Sequence, residues 1–121
     1  MDERESLQIQ ETRQGDTLVL QIMGDMDIYE APLLKIKIQS AHETDVKILL
    51  VDLSEVNYID SAGLGALLEG HRLYEKGKGL FAIVSPSQNL KEAFQVSRLD
   101  HYLSIFATRK EAIAAGRKNA P

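Results

Sequence analysis

One short run concentrates the side chains that could do chemistry: Asp60-Ser61-Ala62-Gly63-Leu64-Gly65, a carboxylate and a hydroxyl beside two glycines. A serine two residues ahead of a glycine suggests the Gly-x-Ser-x-Gly nucleophile elbow of hydrolases. Ile59 stands where the first glycine of that elbow belongs, and the strand predicted upstream ends well before the turn. No base is selected either, since His42, His71 and His101 are widely separated and none has a neighbour at metal-binding or triad spacing. His71 on the apolar side of a predicted helix reads as a hydrogen-bonded packing residue. Gly63-Leu64-Gly65 begins like a dinucleotide-binding loop, but Leu68 occupies the place of the third glycine. Gly77-Lys78 lacks the upstream glycine and following hydroxyl of a phosphate-binding loop. These patterns indicate no catalytic residue, no cofactor and no metal site.

Two readings of Ser61 stay open on local physics. As the N-cap of the helix that follows, its hydroxyl would accept an amide hydrogen two or three residues on, worth about 1 kcal/mol. As a phosphorylation site, it would carry about −1.5 to −2 charges against the unpaired amides and positive end of that helix, which a folded domain tolerates. Asp60 is adjacent, and Asp25 and Asp27 end the opening hairpin. If the fold brings them together, a phosphate would concentrate negative charge on one face and alter what docks there.

The elements that must position this run follow from periodicity. Leu7 and Ile9, then Leu18, Leu20 and Ile22, alternate with polar residues around Gln14-Gly15-Asp16 and predict a hairpin with one buried face. From Pro32, the spacing of Leu34, Ile38 and Ala41 predicts a helix that starts at the proline. Ile48 to Val51 predicts a strand at the middle of the sheet, ending at Asp52. Leu64, Leu67, Leu68 and His71 predict the buried face of a second helix, closed by a left-handed glycine in Gly77-Lys78-Gly79. A strand at Leu80 to Val84, a break at Ser85-Pro86-Ser87, a helix through Leu90, Ala93 and Phe94 and a short strand at Tyr102 to Phe106 come next. Thr108 and Glu111 form a capping box ahead of Ala112, Ile113 and Ala115 in a last helix. The order predicts an α/β fold with a mixed sheet of four to five strands, parallel at its centre, and about four helices mainly on one face.

Composition narrows the function classes. The chain has 121 residues, 44% of them apolar and 26% charged, which suits one domain spanning residues 7–116 with polar tails at 1–6 and 117–121. A net charge of −4 offers no phosphate-neutralising stripe, so nucleic acid is not an expected partner. With no cysteine there is neither disulfide nor thiolate chemistry, as suits a reducing compartment. The longest apolar run, Leu80 to Val84, is far shorter than the roughly 20 residues a bilayer span needs, and Met1-Asp2-Glu3-Arg4-Glu5 is unlike a signal peptide. A cytoplasmic protein that does not insert into membranes is expected.

Two separated motifs add a resemblance. Gly24-Asp25-Met26-Asp27 with Ala31-Pro32, and Val51-Asp52-Leu53-Ser54 leading into Tyr58-Ile59-Asp60-Ser61-Ala62-Gly63-Leu64-Gly65, resemble the STAS domain, the module shared by sulphate transporters and bacterial anti-sigma factor antagonists. The resemblance spans about Leu7 to Gly116. It implies a non-enzymatic regulator that works by partner switching. The unphosphorylated form binds an anti-sigma factor with serine kinase activity and so frees the sigma factor; phosphorylation ends binding, and a serine phosphatase restores it. Ser61 matches the phosphorylated serine, and the partner-facing surface implied is Asp25, Asp27, Asp60, Ser61, Ala62, Gly63 and Leu64. The usual Gly-Glu-Leu-Asp is Gly24-Asp25-Met26-Asp27 here, and Ala62 stands where many relatives have Ser or Thr. A constitutive STAS adaptor of a transporter ATPase or stress-signalling assembly, with Ser61 only a cap, is the alternative, and weak homodimerisation stays open.

Overall fold

The alternating segments pair as β1 (Gln8–Gln14) and β2 (Thr17–Met23), antiparallel, in the computed structural model, which describes residues 8–77 and 79–118. Gly15 in the tight turn between them takes φ +63°, a conformation glycine adopts at low cost. Leu7, Lys78, the expected tail at 1–6 and residues 119–121 of the expected tail at 117–121 lie outside the described residues.

Among the described residues, five strands form one sheet in the order β1-β2-β3-β4-β5, with β3 (Ile48–Glu55), β4 (Leu80–Val84) and β5 (Ser104–Phe106) joined in parallel. β2 also runs parallel to β3, so only the opening pair is antiparallel. The sheet is mixed and parallel at its centre, and the Ile48–Val51 run is its central strand, as expected. That strand continues past Asp52 to Glu55, and the final strand is shorter than predicted because a single 3-10 turn, Leu99–His101, precedes it. The hairpin differs from expectation in burying both faces of β2. Leu18, Leu20 and Ile22 join one core cluster while Val19 joins the other, because β2 lies inside the sheet and, of the two hairpin strands, β1 is the edge.

The crossovers are α1 (Ala31–His42), α2 (Ser61–Glu75) and α3 (Gln88–Val96), each between neighbouring strands advancing in one direction. Right-handed connections of that kind put all three helices on one face. Their apolar residues Leu34, Ile38, Leu67, Leu90 and Phe94 share a core with Leu49, Val51, Phe81 and Ile83. α4 (Arg109–Lys118) follows the last strand, is not bound to that side, and packs Ala112 on Ile48, Leu50, Ala82 and Val84 of the opposite face. Thr108 Oγ1 accepts the Glu111 amide at 3.1 Å, as the capping box predicts. The helix includes Arg117 and Lys118 of the expected tail, and the Arg117 guanidinium holds Asp16 at 2.7 Å.

α2 departs from its prediction at both ends of the argument. Its buried residues are Gly63, Ala66, Leu67, Gly70 and Tyr74, whereas Leu64, Leu68 and His71 are only half-buried along the flank. Small residues let the helix approach the sheet so closely that a methyl on Gly70 would meet the Phe81 ring at 2.8 Å. The expected left-handed glycine is not found at Gly77; among the described residues the glycines with positive φ are Gly15 and Gly24. The helix ends with Lys76 in ordinary helical geometry, and Gly79 serves close approach, with a methyl there falling 2.5 Å from the Lys47 carbonyl oxygen.

Candidate functional site

At the carboxyl end of the parallel strands, the loop from Gly24 to Glu30 after β2 and the loop from Val56 to Asp60 after β3 are sewn together. Met26 and Ile59 form an isolated parallel bridge; the Met26 amide donates to the Tyr58 carbonyl at 3.0 Å, and the Asp60 amide donates to the Met26 carbonyl at 3.1 Å. Gly63 makes this possible, because a methyl there would lie 2.7 Å from the Met26 carbonyl oxygen. The two acidic motifs, far apart in sequence, therefore share one end of the molecule.

The N-cap of α2 is Asp60, not Ser61. Asp60 Oδ1 accepts the Ala62 amide at 2.9 Å and the Gly63 amide at 3.1 Å, while Oδ2 accepts the Ile28 amide from the neighbouring loop at 3.0 Å. Aspartate caps as well as serine does, and only Asp60 can also reach the second loop. Ser61 becomes the first helical residue, exposed, with no hydrogen-bond partner for its hydroxyl among the described residues. Asp27 closes the first loop in a similar way, its Oδ1 accepting the Tyr29 amide at 3.0 Å and the Glu30 amide at 3.2 Å. Asp25 is exposed at the rim, Ala62 and Leu64 are half-buried, and Gly63 is buried. The expected set thus divides: Asp25 and Ser61 face solvent, while Asp60, Asp27 and Gly63 build the loops.

Three residues at this end were not anticipated. Ile28 is 64% exposed, Tyr29 72% and Tyr58 53%, although each is large and apolar. All three stand on the sewn loops beside Ser61, and Leu33 in the first turn of α1 is exposed as well. A sequence signal existed: Ile28-Tyr29 and Tyr58 fall outside every periodic run, so no core face claims them. Asp52 is the other omission. It is 4% exposed, its Oδ1 accepts the Ser54 amide at 2.9 Å, and its Oδ2 pairs with Arg109 Nε at 2.8 Å and Nη2 at 2.7 Å. Burial pushes this carboxyl up, but the Ser54 hydrogen bonds and the Arg109 charge outweigh it and hold Asp52 below the usual carboxylate range. Among the described residues, no group of three metal-binding side chains gathers, and no helix is long and apolar enough to cross a membrane.

Comparison with known proteins agrees with this geometry. The STAS domain family model matches residues 8–112. An anti-sigma-B factor antagonist of Bacillus subtilis (strain 168) is 30% identical over 86 residues, covering 71% of this chain and 78% of its own. The crystal structure of an anti-sigma factor antagonist from Mycobacterium paratuberculosis superposes with a TM-score of 0.83 at 24% identity, covering 93% of this chain and 95% of that one. The Bacillus cell fate determinant SpoIIAA in its phosphorylated form superposes with a TM-score of 0.68 at 25% identity, covering 91% of this chain and 98% of that one.

Proposed function

The chain belongs to the STAS domain family, and from that membership we propose that it is an anti-sigma factor antagonist, a non-enzymatic regulator of transcription that works by partner switching. Its unphosphorylated form binds an anti-sigma factor that is also a serine kinase, and phosphate on Ser61 ends the binding until a serine phosphatase removes it. One observation carries the switch: Asp60 does the capping, so the Ser61 hydroxyl is exposed and structurally unemployed at the start of α2. A serine whose hydroxyl held the helix would be protected from a kinase; this hydroxyl takes no part in the cap and is open to modification.

The docking surface that fits this role is the loop end carrying Ile28, Tyr29 and Tyr58, with Asp25 and Asp27 beside them. Exposed aromatic and aliphatic residues supply buried area in a complex, and carboxylates at their rim select a complementary partner. A phosphate on Ser61 adds charge at the same place, which suffices to oppose docking.

The test begins with phosphosite mapping on the protein isolated from its own cells across growth and stress conditions, expecting a condition-dependent fraction modified at Ser61. Binding to the anti-sigma factor should survive Ser61→Ala and weaken at least about tenfold in Ser61→Asp. A serine that is never modified, with Ser61→Asp binding as well as wild type, would instead establish the constitutive adaptor role.

A further inference from the structure

The carboxylate of Asp60 serves two loops with its two oxygens. Oδ1 holds the first free amides of α2, and Oδ2 holds the amide of Ile28, whose side chain belongs to the exposed apolar patch. Beside the backbone bonds of the Met26–Ile59 bridge, this carboxylate is a side-chain tie between the patch-bearing loop and the helix that begins with Ser61. Ile28 follows Asp27 directly, and the Asp27 side chain turns the next two amides, at Tyr29 and Glu30, so the Ile28 amide depends on Asp60.

A phosphate on Ser61 would stand one residue from that carboxylate. It brings about −1.5 to −2 charges and three strong acceptor oxygens, and it is disruptive beside an acidic side chain through like-charge repulsion. At the first helical position it would also compete, as anions do at a helix N-terminus, for the Ala62 and Gly63 amides that Asp60 Oδ1 occupies. Both effects push in one direction: the more highly charged acceptor takes the helix amides and the carboxylate leaves.

We propose that Asp60 is the positioning residue through which a phosphate on Ser61 reaches the docking patch: the phosphate evicts the Asp60 carboxylate from the α2 amides, and the Ile28 amide loses its acceptor. Binding would then end because the patch loop is released as well as because charge is added. The inference rests on reading Ser61 as the modified serine, but its test needs no kinase.

Phosphoserine is installed at position 61 during synthesis of the full chain, and amide hydrogen exchange is followed by NMR. The expected result is exchange at Ile28 faster by about tenfold, the loss of one hydrogen bond's protection, with Leu50 and Ile83 of the central strands unchanged. Asp60→Asn provides the second arm without phosphate. Asparagine caps helices as well as aspartate does, so α2 keeps its start, but the amide nitrogen that replaces one oxygen cannot accept from Ile28. Ile28 exchange should rise similarly in that variant, and its affinity for the anti-sigma factor should drop while Ser61 is unmodified. Unchanged Ile28 exchange in the phosphoserine protein would overturn the proposal, whether or not Asp60→Asn folds. Failure to find modified Ser61 in cells would overturn the switch reading and leave the exchange result standing, so the two failures are separable.

Discussion

At Gly63 an added methyl has no space to enter, since it would meet Ile59 Cγ1 at 2.6 Å and the Met26 carbonyl oxygen at 2.7 Å. The second of these is backbone and belongs to the stitching that joins the two loops, so it cannot rotate aside. Gly65, two residues on, has nothing within 4 Å of the same methyl. Both lie in α2, where alanine is favoured over glycine by about 1 kcal/mol. Overpacking costs about 1–3 kcal/mol, which exceeds that gain at Gly63 and is absent at Gly65. Gly63→Ala should therefore lower stability by up to about 2 kcal/mol, whereas Gly65→Ala should raise it by up to about 1 kcal/mol, measured by urea denaturation. Equal effects of the two substitutions would mean that the loops are not held at the distance described. Gly63 thus shapes the site by the side chain it lacks, which separates its role from that of the exposed Ser61.

At the scale of elements, β3 is tied to α4 by Asp52 and Arg109, which are far apart in sequence and meet on the sheet face that α4 covers. The Asp52 carboxyl is held below its ordinary value of 3.8, burial notwithstanding, by Ser54 and Arg109. A depressed carboxylate contributes stability that is complete above its unfolded value and is lost as pH falls through its folded one. Urea denaturation should show that part of the stability is lost as pH falls below about 4, and Asp52→Asn should remove that part of the acid dependence while lowering stability at neutral pH. An acid profile unaffected by Asp52→Asn would count against the pairing. Local pattern made much of this layer legible: the unbroken run Ile48–Val51 marks the central strand, and Pro32 with Leu34, Ile38 and Ala41 marks α1. What was not legible depended on approach between elements. Glycine has no hydrophobic signal, so the buried stripe Gly63, Ala66 and Gly70 could not be separated from Leu64 and Leu68 before the helix met the sheet. Asp60 and Ser61 are both good caps in sequence, and the Ile28 amide on a distant loop favours Asp60. The site motif itself was readable because its residues are contiguous; for the patch, local pattern shows only that Ile28-Tyr29 and Tyr58 belong to no periodic run, and their meeting at one end depends on the bridge between the two loops.

At the scale of the whole molecule, the end that carries Ser61 combines acidic with exposed apolar side chains. The stretches 24–30 and 54–61 carry Asp25, Asp27, Glu30, Glu55 and Asp60 with no lysine or arginine, and the same loops present Ile28, Tyr29 and Tyr58. The nearby Arg109 at the start of α4 is committed to Asp52. A partner suited to this end offers an apolar recess rimmed by cations. The two components act on different steps of binding: charge accelerates encounter, and buried aromatic area slows departure. Salt screens the first within a Debye length, about 10 Å at 0.1 M and about 3 Å at 1 M, and leaves the second nearly untouched. Stopped-flow association with the anti-sigma factor should therefore slow about tenfold or more when salt is raised from about 0.05 to 0.5 M, with little change in dissociation. Tyr58→Ser and Ile28→Ser should do the reverse, speeding dissociation while association and thermal unfolding stay close to wild type, because exposed side chains support little of the fold. Association insensitive to salt would show that the acidic loops do not meet the partner, and slow dissociation in both serine variants would place the interface elsewhere on the domain.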